Sequence, residues 1–74
     1  MFRYEVWYVQ DDRVTFINGK WQGGDSKPAI ESFSHCPLVW DALNKRGKEG
    51  WRLIATSNLG ENHQKSEKLY LEKR

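Results

Sequence analysis

Leu43-Asn44-Lys45-Arg46-Gly47-Lys48-Glu49-Gly50-Trp51-Arg52-Leu53-Ile54 is the stretch whose reading decides the fold. It holds the end of a helix and the start of a strand within a dozen residues. Lys45, Arg46 and Lys48 suit the last turn of a helix, where cations meet the negative end of the helix dipole. Gly50 fits the left-handed position just past a helix end. Trp51 then falls at the corner where helix meets sheet and is placed to cap the core. Gly47 is read as letting another element approach the helix, and Glu49 as a hydrogen-bonding partner for backbone near the corner. Nothing in the stretch activates a nucleophile. It reads as fold-making.

Upstream, Pro37 suits the first turn of the helix, where its missing N–H costs nothing. Cys36 then sits at the cap, although Ser34 is the better capping residue by type. Leu38, Val39, Ala42 and Leu43 form one apolar stripe along this helix. Trp40 lies beyond the stripe's edge, half covered, while Asp41, Asn44, Lys45 and Lys48 face water. Downstream, Trp51 to Leu59 reads as a strand, and residues 60–66 as a polar connection. Glu67 to Lys73 closes the chain as a last strand, with Leu69 and Leu71 on one face and Lys68, Tyr70 and Glu72 on the other.

The N-terminal third carries the remaining strands. Phe2 to Val9 is rich in aromatic and β-branched residues, which suit a pleated surface. Phe2, Tyr4, Val6 and Tyr8 share one face; Arg3, Glu5, Trp7 and Val9 share the other. Asp11-Asp12 offers a turn into a second strand, Val14 to Ile17. Asn18-Gly19 tolerates the positive φ angles of a type I′ turn and returns the chain through Lys20-Trp21-Gln22. Residues 23–36 follow as a long loop, held by Ile30 and Phe33. The order β-β-(β)-α-β-β predicts an α+β domain spanning residues 1–74, an antiparallel sheet of four to five strands with one helix packed on one face.

The 43–54 segment resembles the small bacterial family known as domain of unknown function 4177. Its members open with an aromatic strand like Tyr4-Glu5-Val6. They carry a helix ending in L-N-x-x-G-x-E-G-W-x-L-(I/V) and close on L-x-K-R, matched here by Leu71-Glu72-Lys73-Arg74. The resemblance covers about the first ten residues and the last forty. The long middle, residues 11–36, departs from the shorter members and is similar to a longer subgroup. The resemblance implies a fold and a small bacterial protein. It implies no activity, for the family has none established.

Composition narrows the function classes. Hydrophobic residues make up 38% of the 74 and aromatics 14%, so the ten large rings must supply much of the core. Each can bury roughly 150–250 Å². A chain this short hides only about 60% of the surface its unfolded form exposes, which leaves little stability to support a deep active site. One cysteine, Cys36, excludes an internal disulfide, and no signal peptide or apolar span is visible, so a cytoplasmic location is expected. Net charge is +2, with the basic surplus in residues 45–74 and an acidic excess before it. That asymmetry either steers an acidic partner or serves the helix end.

No catalytic, metal or cofactor constellation emerges. His35-Cys36 is the most reactive-looking pair, but adjacent side chains diverge, and His63 lies in a polar loop. Near a helix N-terminus Cys36 is expected to have a lowered pKa. Two histidines, one cysteine and scattered carboxylates show no ligand spacing. Gly23-Gly24 opens no phosphate-binding helix. The chain is therefore read as no enzyme.

The aromatic surplus points to binding instead. If Tyr4, Val6 and Tyr8 meet the helix, the other face shows Trp7 and Val9, joined by Ile17 and Trp21 and flanked by Trp40. Such a patch marks an interaction site, unless the long loop folds under the sheet and buries it. Trp and Tyr beside Arg anchor protein interfaces, so a protein partner or self-association is expected. The alternative is single-stranded nucleic acid stacked on Trp7, Trp21 or Trp40. Acidic neighbours of Trp7 and Trp21, and a pI of about 8.8, favour protein.

Overall fold

The computed structural model describes residues 1–24, 30–58 and 66–74, Ile30 by its backbone alone. Five strands and two helices run in the order β1 (Arg3–Gln10), β2 (Arg13–Ile17), β3 (Lys20–Trp21), α1 (Ile30–Phe33), α2 (Val39–Lys48), β4 (Arg52–Asn58) and β5 (Ser66–Lys73). The strands form one antiparallel sheet in the order β3-β2-β1-β5-β4. This is the expected α+β arrangement, with the short third strand present and a one-turn helix inside the long loop. Residues 25–29 of that loop and most of the polar connection lie outside the described residues.

The spine is the pairing of the first strand with the last. β1 and β5 run in unbroken register from Arg3↔Lys73 to Gln10↔Ser66. Two tight turns build the N-terminal side. Asp11 and Asp12 both have positive φ (48° and 67°), as do Asn18 and Gly19 (50° and 81°), which is the signature of type I′ hairpins. Asn18 then extends the sheet past the end of β2. Its backbone N–H donates to Val6 O, and its Oδ1 accepts the Val6 N–H, both at 2.8 Å.

The expected start of the helix needs correction. Pro37 and Leu38 are not its first turn. The Pro37 carbonyl accepts the Val14 N–H at 2.8 Å, Leu38 bridges Arg13, and the Val39 N–H donates to Asp12 O. Residues 37–38 thus serve as a strand-like strip beside β2, and the helix begins at Val39. Leu38 precedes it with extended backbone and no side-chain cap. Arg13 holds the strip in place, donating to the carbonyls of Ser34 and Cys36.

At its other end α2 closes as expected. Gly50 has φ +95°; the Gly50 N–H reaches Gly47 O, and the Trp51 N–H reaches Arg46 O. That pair of bonds is a Schellman motif, which satisfies carbonyls the helix would otherwise orphan. Two finer readings fail. A Cβ on Gly47 would meet nothing within 4 Å among the described residues, so no described element approaches there. Glu49 pairs with the Arg46 guanidinium at 2.8 Å rather than with backbone.

The core lies between α2 and one face of the sheet. Trp7, Val9, Val14, Leu69 and Leu71 are buried, and Val39, Ala42, Leu43, Ile17 and Trp51 pack against them from the rim. The face of β1 that meets the helix is therefore the Trp7 face, the reverse of the expected one. Register explains it: Leu69 lies opposite Trp7 and Leu71 opposite Glu5, so the leucine face of β5 carries Trp7 inward. Glu5 is tolerated on this face because it is paired. It accepts the Trp7 indole N–H at 2.9 Å and meets Arg46 of α2 at 3.2 Å.

Candidate functional site

The five residues read from the sequence as one interaction surface do not form one. Trp7 and Val9 are 0% and 3% exposed and belong to the core, a direct consequence of the inverted β1 face. Ile17 lies opposite Trp7 and packs on the rim of the same core. Trp21 pairs with Phe16 and so projects from the other face. Trp40 is exposed on α2. Trp7 and Val9 are accordingly withdrawn as surface candidates; Ile17 and Trp21 meet only in a cleft at the β2–β3 end, whose lining does not include Trp40.

The face opposite α2 is where rings gather. Cross-strand register lines up three rows, because residues directly opposite one another in a sheet project to the same side. One row runs Arg52, Glu72, Tyr4; the next Ala55, Tyr70, Val6; the third Ser57, Lys68, Tyr8, Phe16, Trp21. Phe2 extends the first row, stacked on Tyr4 with ring centroids 6.5 Å apart. Tyr8, Phe16 and Trp21 form a chain of tilted and edge-on contacts at 6.2 and 5.4 Å. Phe2 and Tyr4 are exposed, and Tyr8, Phe16, Trp21 and Tyr70 are half-buried. An aromatic sheet face thus exists, with residues other than those first assigned to it.

The charges on this face come from both ends of the chain. Arg52 bonds Glu72 at 3.1 Å, and the Arg74 guanidinium lies 5.3 Å from the centre of the Phe2 ring. Lys68 lies between Ser57 and Tyr8 in the third row. The basic surplus of the C-terminal part is therefore beside the rings of the N-terminal part, because β5 inserts between β1 and β4. Sequence distance hid this neighbourhood; the β1–β5 register creates it.

At the β2–β3 end a wide cleft of about 620 Å³ is lined by Ile17, Asn18, Lys20, Trp21, Gln22, Gly24 and Arg46. The Trp21 indole lies against Gly23, where an added Cβ would come within 2.5 Å of the ring. Its buried Nε1 has no hydrogen-bond partner among the described residues.

The reactive-looking pair separates. Cys36 is 1% exposed while His35 is exposed. Burial pushes the Cys36 thiol above its ordinary pKa, and the nearby Arg13 charge only partly opposes this. The expected lowering fails because the thiol is buried, and α2 begins only at Val39, three residues later. His63 lies outside the described residues. Among the described residues no three His, Cys, Asp or Glu side chains converge as a metal site, and no helix is long and apolar enough to cross a membrane.

The structural corner is an electrostatic joint. Arg46 bridges Glu5 and Glu49, and its pKa is raised chiefly by the hydrogen bond to Glu49. Glu49 is lowered by the same bond. Arg46 and Lys73 flank the Trp51 ring at 6.0 and 5.9 Å. These contacts tie helix to sheet through Arg46, while Lys45 and Lys48 of the same helix end are exposed.

No protein-family model, curated protein or solved structure matches this chain. The functional reading therefore rests on the residues themselves.

Proposed function

We propose that the chain is a non-catalytic protein-interaction module that docks a partner on the sheet face opposite α2. The observation that carries this reading is the three-row ring surface, with exposed Phe2 and Tyr4 beside half-buried Tyr70 and Tyr8. Large amphipathic rings supply contact area at low entropy cost and anchor interfaces when flanked by arginine. Arg52 and Arg74 flank them here. The resemblance of residues 43–54 to an uncharacterised family fits an accessory role and adds no activity.

Pull-down from the native cell with the wild type and with Tyr4→Ala and Tyr70→Ala tests it. Loss of the same captured protein from both variants, with folding retained by circular dichroism, is the expected result. Unchanged capture by both sinks the reading.

A second reading has a specific observation behind it. Lys68 stands beside Tyr8 and Arg74 beside Phe2, which supports single-stranded nucleic acid stacked on the rings with cations along its phosphates. It ranks second because the rings engage one another, Phe2 on Tyr4 and Phe16 against Trp21, and because Glu72 stands opposite Tyr4. Oligonucleotide titration at two salt concentrations separates the two. Salt-sensitive quenching of tryptophan fluorescence favours nucleic acid, and none favours protein.

A further inference from the structure

The sheet has two edges, and they are not treated alike. β3 ends the sheet with only two residues, one of them Lys20, and shortness with a lysine blunts an edge. β4 ends it with seven residues, and β5 is its one neighbouring strand among the described residues. All but Ser57 are exposed, among them Leu53 at 45% and Ile54 at 47%. Its single charge, Arg52, is drawn sideways to Glu72, so residues 53–58 contain no charge and no proline. A bulge at Ile54 disturbs the first part of the strand, but Ala55 to Asn58 keep regular register with Tyr70 to Glu67. A long, uncharged edge with no neighbouring strand among the described residues is a template for another strand.

We propose that this edge pairs with a second copy of itself. Two chains join antiparallel through β4, with Thr56 facing Thr56 on a two-fold axis, and the two five-stranded sheets become one. The strand fits its own copy in this register. Ala55 faces Ser57, two small residues from the same side of the sheet, since both project with Tyr70 and Lys68. Thr56 projects with Leu69 toward the helix side, so a Thr–Thr pair forms there, a favourable cross-strand match. Ile54 faces Asn58, and no charge opposes a like charge anywhere in the paired run. Both copies of α2 then lie on the same side of the joined sheet. The contact is isologous, so it closes as a dimer rather than growing as a fibre. A strongly charged partner would find nothing to match along residues 54–58.

This pairing goes beyond the proposed docking face, since it uses the sheet's edge and a self partner. Light scattering on the eluting protein at about 100 μM is expected to give twice the 8.8 kDa chain mass. Thr56→Cys is expected to form an intermolecular disulfide under mild oxidation, because facing residues of an antiparallel pair lie within about 4.5–5.5 Å. Arg52→Cys, eight residues out of register with its own copy, is expected to link at least ten-fold more slowly. Buried Cys36 supplies no background. Thr56→Lys opposes two cations at the axis and should give a monomer; Thr56→Val should stay dimeric and reports on the fold. A wild-type monomer at that concentration overturns the proposal, as does equal linking of the two cysteine variants or a surviving Thr56→Lys dimer. Tyr4 lies on β1, separated from this edge by β5, so the Tyr4 variant lets the two readings fail separately.

Discussion

Glycine tests the residue scale best, since two of them three positions apart do different things. Gly50 holds φ +95° in the Schellman turn, a conformation costing an L-residue about 1–2 kcal/mol. Gly47 sits inside α2 with open space where a Cβ would go. Gly50→Ala is expected to lower stability by about 1–2 kcal/mol. Gly47→Ala should raise it by about 0.5–1 kcal/mol, because alanine costs less to order in a helix. Urea midpoints of the two variants check the opposite signs. Gly50 was legible because a helix pattern ending before a strand demands one left-handed residue. Gly47 was misread because a glycine in a helix does not declare whether it is crowded. Cys36 was misread for a related reason, as its burial depends on Arg13 gathering the carbonyls of residues 34 and 36. Its thiol is raised by burial first and lowered by Arg13 second. Folding thus favours the protonated thiol. That contribution is present below the unfolded pKa and is lost as pH rises through the higher folded value. Stability should fall as pH rises past the ordinary thiol pKa of about 8.5, and Cys36→Ala should flatten that decline in urea midpoints taken across alkaline pH.

Among the elements, β1 was the ambiguous one and β5 the informative one. Both faces of β1 are apolar, Tyr4-Val6-Tyr8 on one and Trp7-Val9 on the other, so alternation alone could not choose between them. β5 has one leucine face and one polar face. Had the β1–β5 register been known, Leu69 opposite Trp7 would have chosen at once. Glu5 is accommodated on the inward face because it is held between an indole N–H and Arg46. The same contact makes a test. Glu5→Ala leaves the buried Trp7 N–H without its acceptor and should cost about 1–3 kcal/mol. Glu5→Gln keeps an acceptor oxygen and should cost clearly less, leaving only the Arg46 attraction lost. Equal losses in thermal unfolding would mean the ion pair, rather than the indole bond, holds the element. The turns needed no such help. Asn18-Gly19 was legible from its own backbone requirement, and the structure uses it as written.

For the molecule as a whole, the core is one-sided, and this separates folding from function. Among the described residues, the buried apolar side chains of the core cluster number only a handful, led by a fully buried Trp7, and they lie on one face of the sheet. The rings of the other face stack among themselves at the surface, with Tyr4 57% exposed. A chain of this size holds roughly 4–11 kcal/mol in total. Trp7→Ala removes about 3–5 kcal/mol and should leave the chain largely unfolded. Tyr4→Ala removes little buried area and should shift the urea midpoint by less than about 1 kcal/mol in stability. A loss of partner capture on replacing Trp7 would therefore report on unfolding, and only the opposite face can report on binding. Circular dichroism and capture measured together on both variants decide it. Unfolding without selectivity is expected from Trp7→Ala, and intact structure with weakened capture from Tyr4→Ala. If Tyr4→Ala unfolds the chain instead, the ring face is a second core, and the division of the sheet into a folding side and a binding side is wrong.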